Sequence, residues 1–232
     1  MRSSPHLART AGLCYLVVAI CGGFAEAYVP GQIYRPGDAA ATAHNVVANA
    51  GLVRFGAVAD LVQATFFLFT AMALYLLLEH VNKNVARAMV TFVAISVAMM
   101  GLNTVHQFAA LRVATDATYA GALGAHGSDA LVLLLLELRH YGVLTAQIFF
   151  GLWLLPLGYL VHRSRMFPRG LGILLVIGCA GYLVDVFARL LSPDLGAVLG
   201  PFVLTPPTIA EIAMVLWLLV ARTRTKRGWR ES

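Results

Sequence analysis

Charged residues are scarce in this sequence. Only 12% of its 232 residues are Asp, Glu, Lys or Arg, whereas 59% are hydrophobic. Soluble globular domains carry about 25% charged residues. A soluble core cannot bury this much apolar surface, so the composition excludes an ordinary soluble domain and predicts an integral membrane protein.

Signatures of several common sites are also missing. The sequence has no G-x-S-x-G motif and few serines in its apolar stretches, which argues against a serine hydrolase. It has neither a P-loop nor a dinucleotide-binding glycine fingerprint. The three cysteines, Cys14, Cys21 and Cys179, all fall in apolar runs. Cys14 and Cys21 are about 10 Å apart along one predicted helix, too far to bridge, so we expect all three to be small packing residues.

Long apolar runs are what the sequence has instead. Six are long enough, at about twenty residues each, to cross a bilayer as helices. They lie near residues 9–29, 54–78, 88–112, 135–161, 170–191 and 203–221. The prediction is an all-α, polytopic membrane protein: a six-transmembrane-helix bundle that forms one domain over residues 1–232, with a basic tail at 222–232. We expect Pro156 to kink the fourth span, and Pro206 and Pro207 to begin the sixth.

The basic residues alternate with these spans and do not form one patch, which argues against nucleic acid as a partner. Twelve of the 17 Lys and Arg residues fall on the side of the two termini: Arg2, Arg9, Lys83, Arg87, Arg163, Arg165, Arg169, Arg222, Arg224, Lys226, Arg227 and Arg230. By the positive-inside rule, this predicts a multi-pass protein of the cell membrane with both termini in the cytoplasm.

A cleaved signal peptide is an alternative interpretation of the N-terminus. Arg2 and Arg9 precede an apolar run, and Ala25-Glu26-Ala27 resembles a cleavage site. The apolar run is long for a signal peptide, and the five remaining spans would lose the charge asymmetry. We therefore expect the first span to remain in the protein.

Polar residues inside the spans share one depth. At about 1.5 Å per residue across a core of roughly 30 Å, most lie within about 8 Å of the outer boundary. They are Glu26, Asp60, Asn103, His106, Gln147 and Asp185, with Arg54, Arg112, Arg139, His140 and Arg189 at the rim and Glu211 near the midplane. Because ionisable groups in a membrane normally face the bundle interior, this layer predicts an outward-facing polar pocket. The alternative is a set of inter-helix ion pairs that only fix the packing.

The pocket hypothesis gives these residues roles. The catalytic candidates are Glu211, Asp185, Asp60, His140 and His106, and the substrate-binding candidates are Glu26, Asn103, Gln147 and Arg54. A carboxyl group near the midplane favours its protonated form, so Glu211 could donate a proton to an apolar substrate. Asp185 or Asp60 would stabilise charge, and His106 or His140 would accept protons.

Three functions remain open at this point. The first is an enzyme that performs acid–base chemistry on a lipid or isoprenoid-like substrate, with a membrane lipid or small lipophilic ligand as partner. The second is a proton- or cation-coupled carrier of small solutes. The third is a non-catalytic ligand sensor or assembly subunit. A one-sided pocket suits binding and chemistry better than passage.

A metal ion is a weaker hypothesis. His106 and His140 lie at similar depth on adjacent spans and could ligate a metal together with Asp185 or Glu211, or hold a haem. The sequence shows no complete ligand set, so we expect no metal and no other cofactor.

The chain also resembles a known family over nearly its whole length. The stretches that carry the resemblance include ARTAGLCYLVVAICGGFAEAYVPG, GLNTVHQFAALR, LRHYGVLTAQIFFGLWLLPLGYLVHRS and FPRGLGILLVIGCAGYLVDVFARLL. They are similar to the bacterial membrane family catalogued as domain of unknown function 4386, which implies one six-helix membrane domain and no assigned activity.

Positions of the family's polar motifs are matched here by Glu26, Arg54, Asp60, Asn103, His140, Asp185 and Glu211. The chain departs from the family's Asn-x-x-Asn pattern in the third span, where it has Asn103 and His106. A titratable imidazole replaces an amide at that position.

Overall fold

Helices make up the regular structure of the computed structural model, which describes residues 5–220. The elements are α1 (Pro5–Gly22), a π-helical turn (Gly23–Tyr28), α2 (Val29–Ile33), α3 (Ala39–Ala48), α4 (Ala50–Leu78), α5 (Lys83–Thr115), α6 (Ala117–Ser164), α7 (Arg169–Leu191), α8 (Pro193–Val203) and α9 (Thr205–Val220). No strand occurs between residues 5 and 220. The predicted all-α class is confirmed. Arg2 and the basic tail at 222–232 lie outside the described residues.

Six segments are long and apolar enough to cross a membrane. They are His6–Ile33, Ala50–Leu78, Lys83–Thr115, Ala117–Ser164, Arg169–Leu191 and Pro193–Val220. Each contains one of the spans that the sequence predicts, up to the last described residue. The protein is therefore a multi-pass membrane protein.

The spanning helices form a closed ring. In order around the ring, α1 contacts α4, α4 contacts α5, α5 contacts α6, α6 contacts α7, α7 contacts α9, and α9 returns to α1. Consecutive spans run in opposite directions, so α1 begins and α9 ends at the same end of the ring. We call the end at which α1 begins the basic end, since it carries Arg9, Lys83, Arg87, Arg163, Arg165 and Arg169. The opposite end, which α2, α3 and α8 cover, is the polar end.

A dense apolar core fills the half of the ring next to the basic end. Its largest fully buried side chains are Leu74, Leu77, Leu78, Met89, Trp153, Leu154, Leu157, Leu160, Leu175, Met214 and Leu218. A smaller apolar cluster at the polar end packs α2 and α3 against α4, α5 and α6. Along α4 and α6, the buried charged residues Asp60 and Arg139 lie between residues of these two clusters.

The helix ends follow local chemistry. Asn82 caps α5, because its side chain accepts hydrogen bonds from the backbone N–H groups of Asn84 (3.1 Å) and Val85 (3.2 Å). Asp38 and Asp116 cap α3 and α6 in the same way. The two long segments between the predicted spans, residues 30–53 and 113–134, are also largely helical. Within α6, Gly124 departs from helical dihedral angles (φ 73°).

Proline and glycine positions shape α6 and its neighbours. Pro206 and Pro207 lie in the first turn of α9, as predicted. Pro156 lies buried within α6, and the kink expected there stays a prediction. Gly158 of α6 and Gly172 of α7 let the two backbones meet: a Cβ atom added to either would lie 2.7 Å from the other's carbonyl oxygen. Small residues at such crossings allow close helix packing in membranes.

Candidate functional site

The first charged residue of the site is presented by an irregular turn. The backbone N–H of Val29 bonds to the carbonyl of Phe24, five residues earlier, so residues 23–28 form a π-helical turn. The next carbonyl, that of Ala25, would pair in this register with residue 30, which is proline and has no N–H. The turn therefore leaves the Ala25 carbonyl available to a side chain, and it carries Glu26.

Arg139 of α6 donates a hydrogen bond to that carbonyl and so connects α6 to the π-helical turn and to α4. Its Nη2 donates to the Ala25 carbonyl at 3.2 Å and to Asp60 Oδ2 on α4 at 2.9 Å. The same nitrogen lies 3.6 Å from Glu26 Oε1. Asp60 is 3% exposed and Arg139 is 6% exposed. Charges this deeply buried are tolerated because each faces an opposite charge rather than lipid.

A second ion pair lies on α7. Arg189 Nε donates to Asp185 Oδ1 at 2.9 Å, and Gln147 Nε2 of α6 donates to Asp185 Oδ2 at 2.8 Å. Asp185 is 1% exposed. Gly200 of α8 makes room for this pair, since an added Cβ atom there would lie 2.5 Å from Arg189 Nη2 and 3.0 Å from Asp185 Oδ1.

Both ion-paired networks border one cavity of about 260 Å³. Its polar lining comes from Glu26, Tyr34, Gln107, Arg139, His140, Gln147, Asp185 and Arg189, and its apolar lining from Val29, Pro30, Ile33, Leu136, Val143, Leu144 and Leu204. The cavity lining therefore combines charged and aliphatic side chains. This combination fits a ligand that has both a polar and an apolar part.

Gln107 offers this cavity an unused acceptor. Its Nε2 donates to the Val53 carbonyl at 2.8 Å, which fixes the orientation of the amide because a carbonyl accepts only from the NH₂ group. Its Oε1 is buried and has no hydrogen-bond partner among residues 5–220. A buried acceptor of this kind is normally satisfied by a water or ligand donor.

Two aromatic side chains stand at the exposed side of the cavity. The His140 and Tyr34 rings are stacked, with centroids 6.0 Å apart, and His140 is exposed. Burial, together with the nearby Glu137 and Tyr141, raises the pKa of the Tyr34 phenol. A phenol is already protonated at neutral pH, and this shift favours the protonated form further, so Tyr34 can act as a hydrogen-bond donor.

Five of the predicted site residues come together here, and four lie elsewhere. Glu26, His140, Gln147 and Asp185 line the cavity, and Asp60 lies behind it, bound to Arg139. Asn103 is buried against Gly142, and His106 Nδ1 is buried without a partner among the described residues. Arg54 is exposed on α4 and outside the cavity lining. Whether any of the nine functions in binding or catalysis stays a prediction.

Glu211 belongs to a separate buried cluster. Its two carboxylate oxygens accept hydrogen bonds from the phenols of Tyr15 on α1 (3.1 Å) and Tyr182 on α7 (3.0 Å). The Tyr15 ring also packs edge-on against Trp153, with centroids 5.6 Å apart. Glu211 therefore links α9 to both of its neighbours in the ring, and it is not part of the cavity lining.

Residues 5–220 contain no group of three or more His, Cys, Asp and Glu side chains placed to hold a metal ion. His106 and His140 do not share a site with a third ligand in this part of the chain. The three cysteines are all unpaired.

Comparison with known proteins places this sequence in a family. The sequence profile of a family described as domain of unknown function (DUF4386) matches residues 10–221. The chain belongs to that family. The description of the DUF4386 family names no activity.

A relative of this DUF4386 protein comes from Archaeoglobus fulgidus and is described as an uncharacterized protein. It is 30% identical over 121 residues, which is 51% of this chain and 57% of the relative. The match thus spans less than two thirds of the relative's length. No solved structure matches the chain.

Sequence reasoning placed Arg139 only at the rim of this DUF4386 protein and gave no role to Tyr15 or Tyr182. The sequence feature that could have indicated a role for the two tyrosines was their position along the helices. Tyr182 precedes Asp185 by one helical turn, and Tyr15 lies well inside the first span. Which neighbouring helix each side chain meets depends on the rotation of the helices, which depth does not specify.

Proposed function

We propose that this protein binds a small amphiphilic molecule in the polar-end cavity and performs acid–base chemistry on it. The observation that supports this most is the make-up of the cavity, which is lined both by the charged groups of two ion-paired networks and by aliphatic side chains. A lipid-derived or isoprenoid-like molecule has this division between a polar head and an apolar body. Its polar head would lie against Arg189 and Gln107, and its apolar part against Ile33, Leu144 and Leu204.

Glu26 is the best candidate for the group that exchanges a proton. The two networks contain three carboxylates, on Glu26, Asp60 and Asp185, and two arginines. Asp60 and Asp185 each bind an arginine at 2.9 Å, whereas Glu26 lies 3.6 Å from Arg139. The Glu26 side chain is also 24% exposed. It is thus the carboxylate with the weakest pairing and the easiest access.

The other groups would support that step. Arg139 and Asp60 would position Glu26 and offset charge that develops on it. His140, exposed beside Tyr34, would carry protons between the cavity and the outside. Glu211, which the sequence favours as acid, would instead position helices α1, α7 and α9 through its two tyrosines.

Chemistry fits the fold better than transport. A carrier needs a polar path through both halves of the bundle. Here the half next to the basic end is packed with fully buried Trp, Leu and Met side chains. A solute bound near Glu26 would meet this apolar core.

The orientation in the membrane belongs to the same proposal. The six Lys and Arg residues of the basic end favour the cytoplasmic side of the cell membrane for that end. The cavity would then open toward the outer side.

Mass spectrometry of lipid extracts tests this function. Cells that express the wild-type protein should differ from cells that lack it in at least one lipid-derived species. Glu26→Gln should abolish that difference, with turnover about 100-fold lower, because an amide cannot exchange a proton. The matched control is Glu79→Gln, at the basic end of α4, which should behave as wild type.

Two other results would point elsewhere. If lipid extracts do not change, while solute or proton flux into proteoliposomes depends on Glu26, the protein is a carrier. If neither changes but a small molecule co-purifies with wild type and not with Glu26→Gln, the protein is a non-catalytic sensor or assembly subunit.

A further inference from the structure

The basic end carries a second, quite different concave surface. A groove of about 760 Å³ runs between α5, α6 and α7. Its lining is almost entirely apolar and includes Ala88, Phe92, Leu155, Tyr159, Ile173 and Val176. From Asn84 to Phe92 the groove follows α5 for about 12 Å, counted at 1.5 Å per residue. It therefore leads from the end of the helix along the outer face of the bundle toward the middle of the span.

The groove exists because two of its three helices are drawn together. Gly158 and Gly172 hold α6 and α7 in backbone contact, and both line the groove. On the α5 side, Ala88 is too small to fill the space that remains. The groove faces outward, where hydrocarbon chains surround a membrane protein.

A polar pocket continues this groove toward the end of the bundle. It has a volume of about 400 Å³ and is lined by His80, Val81, Tyr159, Arg163 and Ser164. Tyr159 is common to the groove and the pocket. Arg163 lies over the Tyr159 ring, with its Cζ 5.9 Å from the ring centroid, so its charge is placed where the two spaces meet.

The end of the bundle that holds this pocket is strongly positive. Lys83, Arg87, Arg163, Arg165 and Arg169 lie at the ends of the three helices or in the loop between them, together with His80. The carboxylate among the described residues of these ends is Glu79. Basic pockets between transmembrane helices at the membrane surface are suited to anionic lipid headgroups.

We propose that the groove and the pocket together form a binding site for one anionic phospholipid. An acyl chain lies in the groove along Ala88, Phe92 and Val176, and the lipid phosphate pairs with Arg163 and His80. The site is separate from the cavity at the polar end and does not depend on the function proposed for it.

Native mass spectrometry of the delipidated, full-length protein tests this site. The probes are phosphatidylglycerol and phosphatidylcholine with identical acyl chains. The wild-type protein should retain phosphatidylglycerol about fivefold better than phosphatidylcholine, since one basic side chain near the surface contributes about that factor. Arg163→Gln should remove the preference. Arg163→Lys should keep most of it, because a lysine still pairs with phosphate.

Two further variants separate the groove from general surface charge. Arg9→Gln removes an exposed charge at the same end, on α1 and outside the groove, and should leave the preference intact. Ala88→Phe fills the groove and should lower the retention of both lipids. This variant also serves if Arg163→Gln does not fold.

Several outcomes would overturn the proposal. They are equal retention of the two lipids by wild type, an equal loss in Arg9→Gln and Arg163→Gln, and unchanged retention in Ala88→Phe. A lipid-free dimer that buries the groove would overturn it as well.

Discussion

At the scale of single residues, one guanidinium group organises the polar end. Arg139 reaches Asp60 on α4 and the Ala25 carbonyl in the π-helical turn, and it lies beside Glu26. Pro30 creates the need for such a donor, since it leaves a carbonyl without a backbone partner. Arg139 therefore satisfies the backbone carbonyl of Ala25 and also neutralises the buried charge of Asp60.

Arg139→Met should strongly destabilise the protein. It leaves Asp60 as a buried charge without its arginine, which typically costs about 3–5 kcal/mol. The measurement is unfolding in detergent micelles, by heat or by denaturant. Arg112→Met is the control, because Arg112 is 71% exposed and its pair with Asp116, at 3.4 Å, lies at the surface; such pairs contribute about 0–1 kcal/mol.

Equal stability of the two variants would show that Arg139 does not hold the polar end together. Replacing both partners, as Arg139→Met with Asp60→Leu, should recover part of the loss, because no buried charge is then left without its partner.

At the scale of elements, two devices set the geometry of the site. The π-helical turn adds one residue to a helical turn and so presents Glu26 beside Arg139. The contact between Gly158 and Gly172 fixes α7 against α6, and α7 carries Asp185 and Arg189 to the same cavity as the α6 residues Arg139 and Gln147. Neither device involves a charged side chain, although both decide where charged side chains lie.

Gly158→Ala should weaken the packing of α6 on α7. The added Cβ atom would meet the Gly172 carbonyl at 2.7 Å and Val176 Cγ2 at 2.8 Å, and backbone atoms cannot move aside as a flexible side chain can. Overpacking of this kind costs about 1–3 kcal/mol. Thermal unfolding of the purified variant in detergent measures the loss.

Gly101→Ala is the matched control for this substitution. Gly101 lies in the interior of α5 and has no atom within 4 Å of an added Cβ. Alanine there should raise stability by about 0.5–1 kcal/mol, since it lowers the entropy of the unfolded chain. If both variants behaved alike, the close approach of α6 and α7 would not matter for stability.

At the scale of the whole molecule, the two ends of the ring are built for different surroundings. The basic end has an apolar core, a lipid-facing groove and six cationic side chains. The polar end has ion pairs, a small cavity and covering helices α2, α3 and α8. This asymmetry predicts one orientation in the membrane.

Reporter fusions test that orientation. The test uses two reporters, one active only in the cytoplasm and one active only outside the cell. At the C-terminus only the cytoplasmic reporter should be active, and after Asp38 only the external one. The same two reporters inserted at Asn82, between α4 and α5, are an internal control, and there only the cytoplasmic reporter should be active. A C-terminal reporter active only outside the cell would reverse the proposed topology.

The sequence by itself determined the fold class, the six spans and the grouping of Glu26, Asp60 and Asp185 toward one end of the helices. These follow from local quantities: the length of each apolar run, the rise of a helix per residue and the positions of Lys and Arg. Glu26, Asp60 and Asp185 could be placed near one level without any knowledge of which helices touch.

Only the tertiary structure decided which of these residues meet. Depth fixes position along a helix, whereas contact depends on the rotation of the helix and on its neighbours in the ring. Because α9 packs between α1 and α7, Glu211 faces Tyr15 and Tyr182 instead of the cavity. The Ala25 carbonyl of the π-helical turn accepts from Arg139, which lies beside Asp60, and Gly200 leaves room for Arg189 beside Asp185, while Arg54 remains exposed.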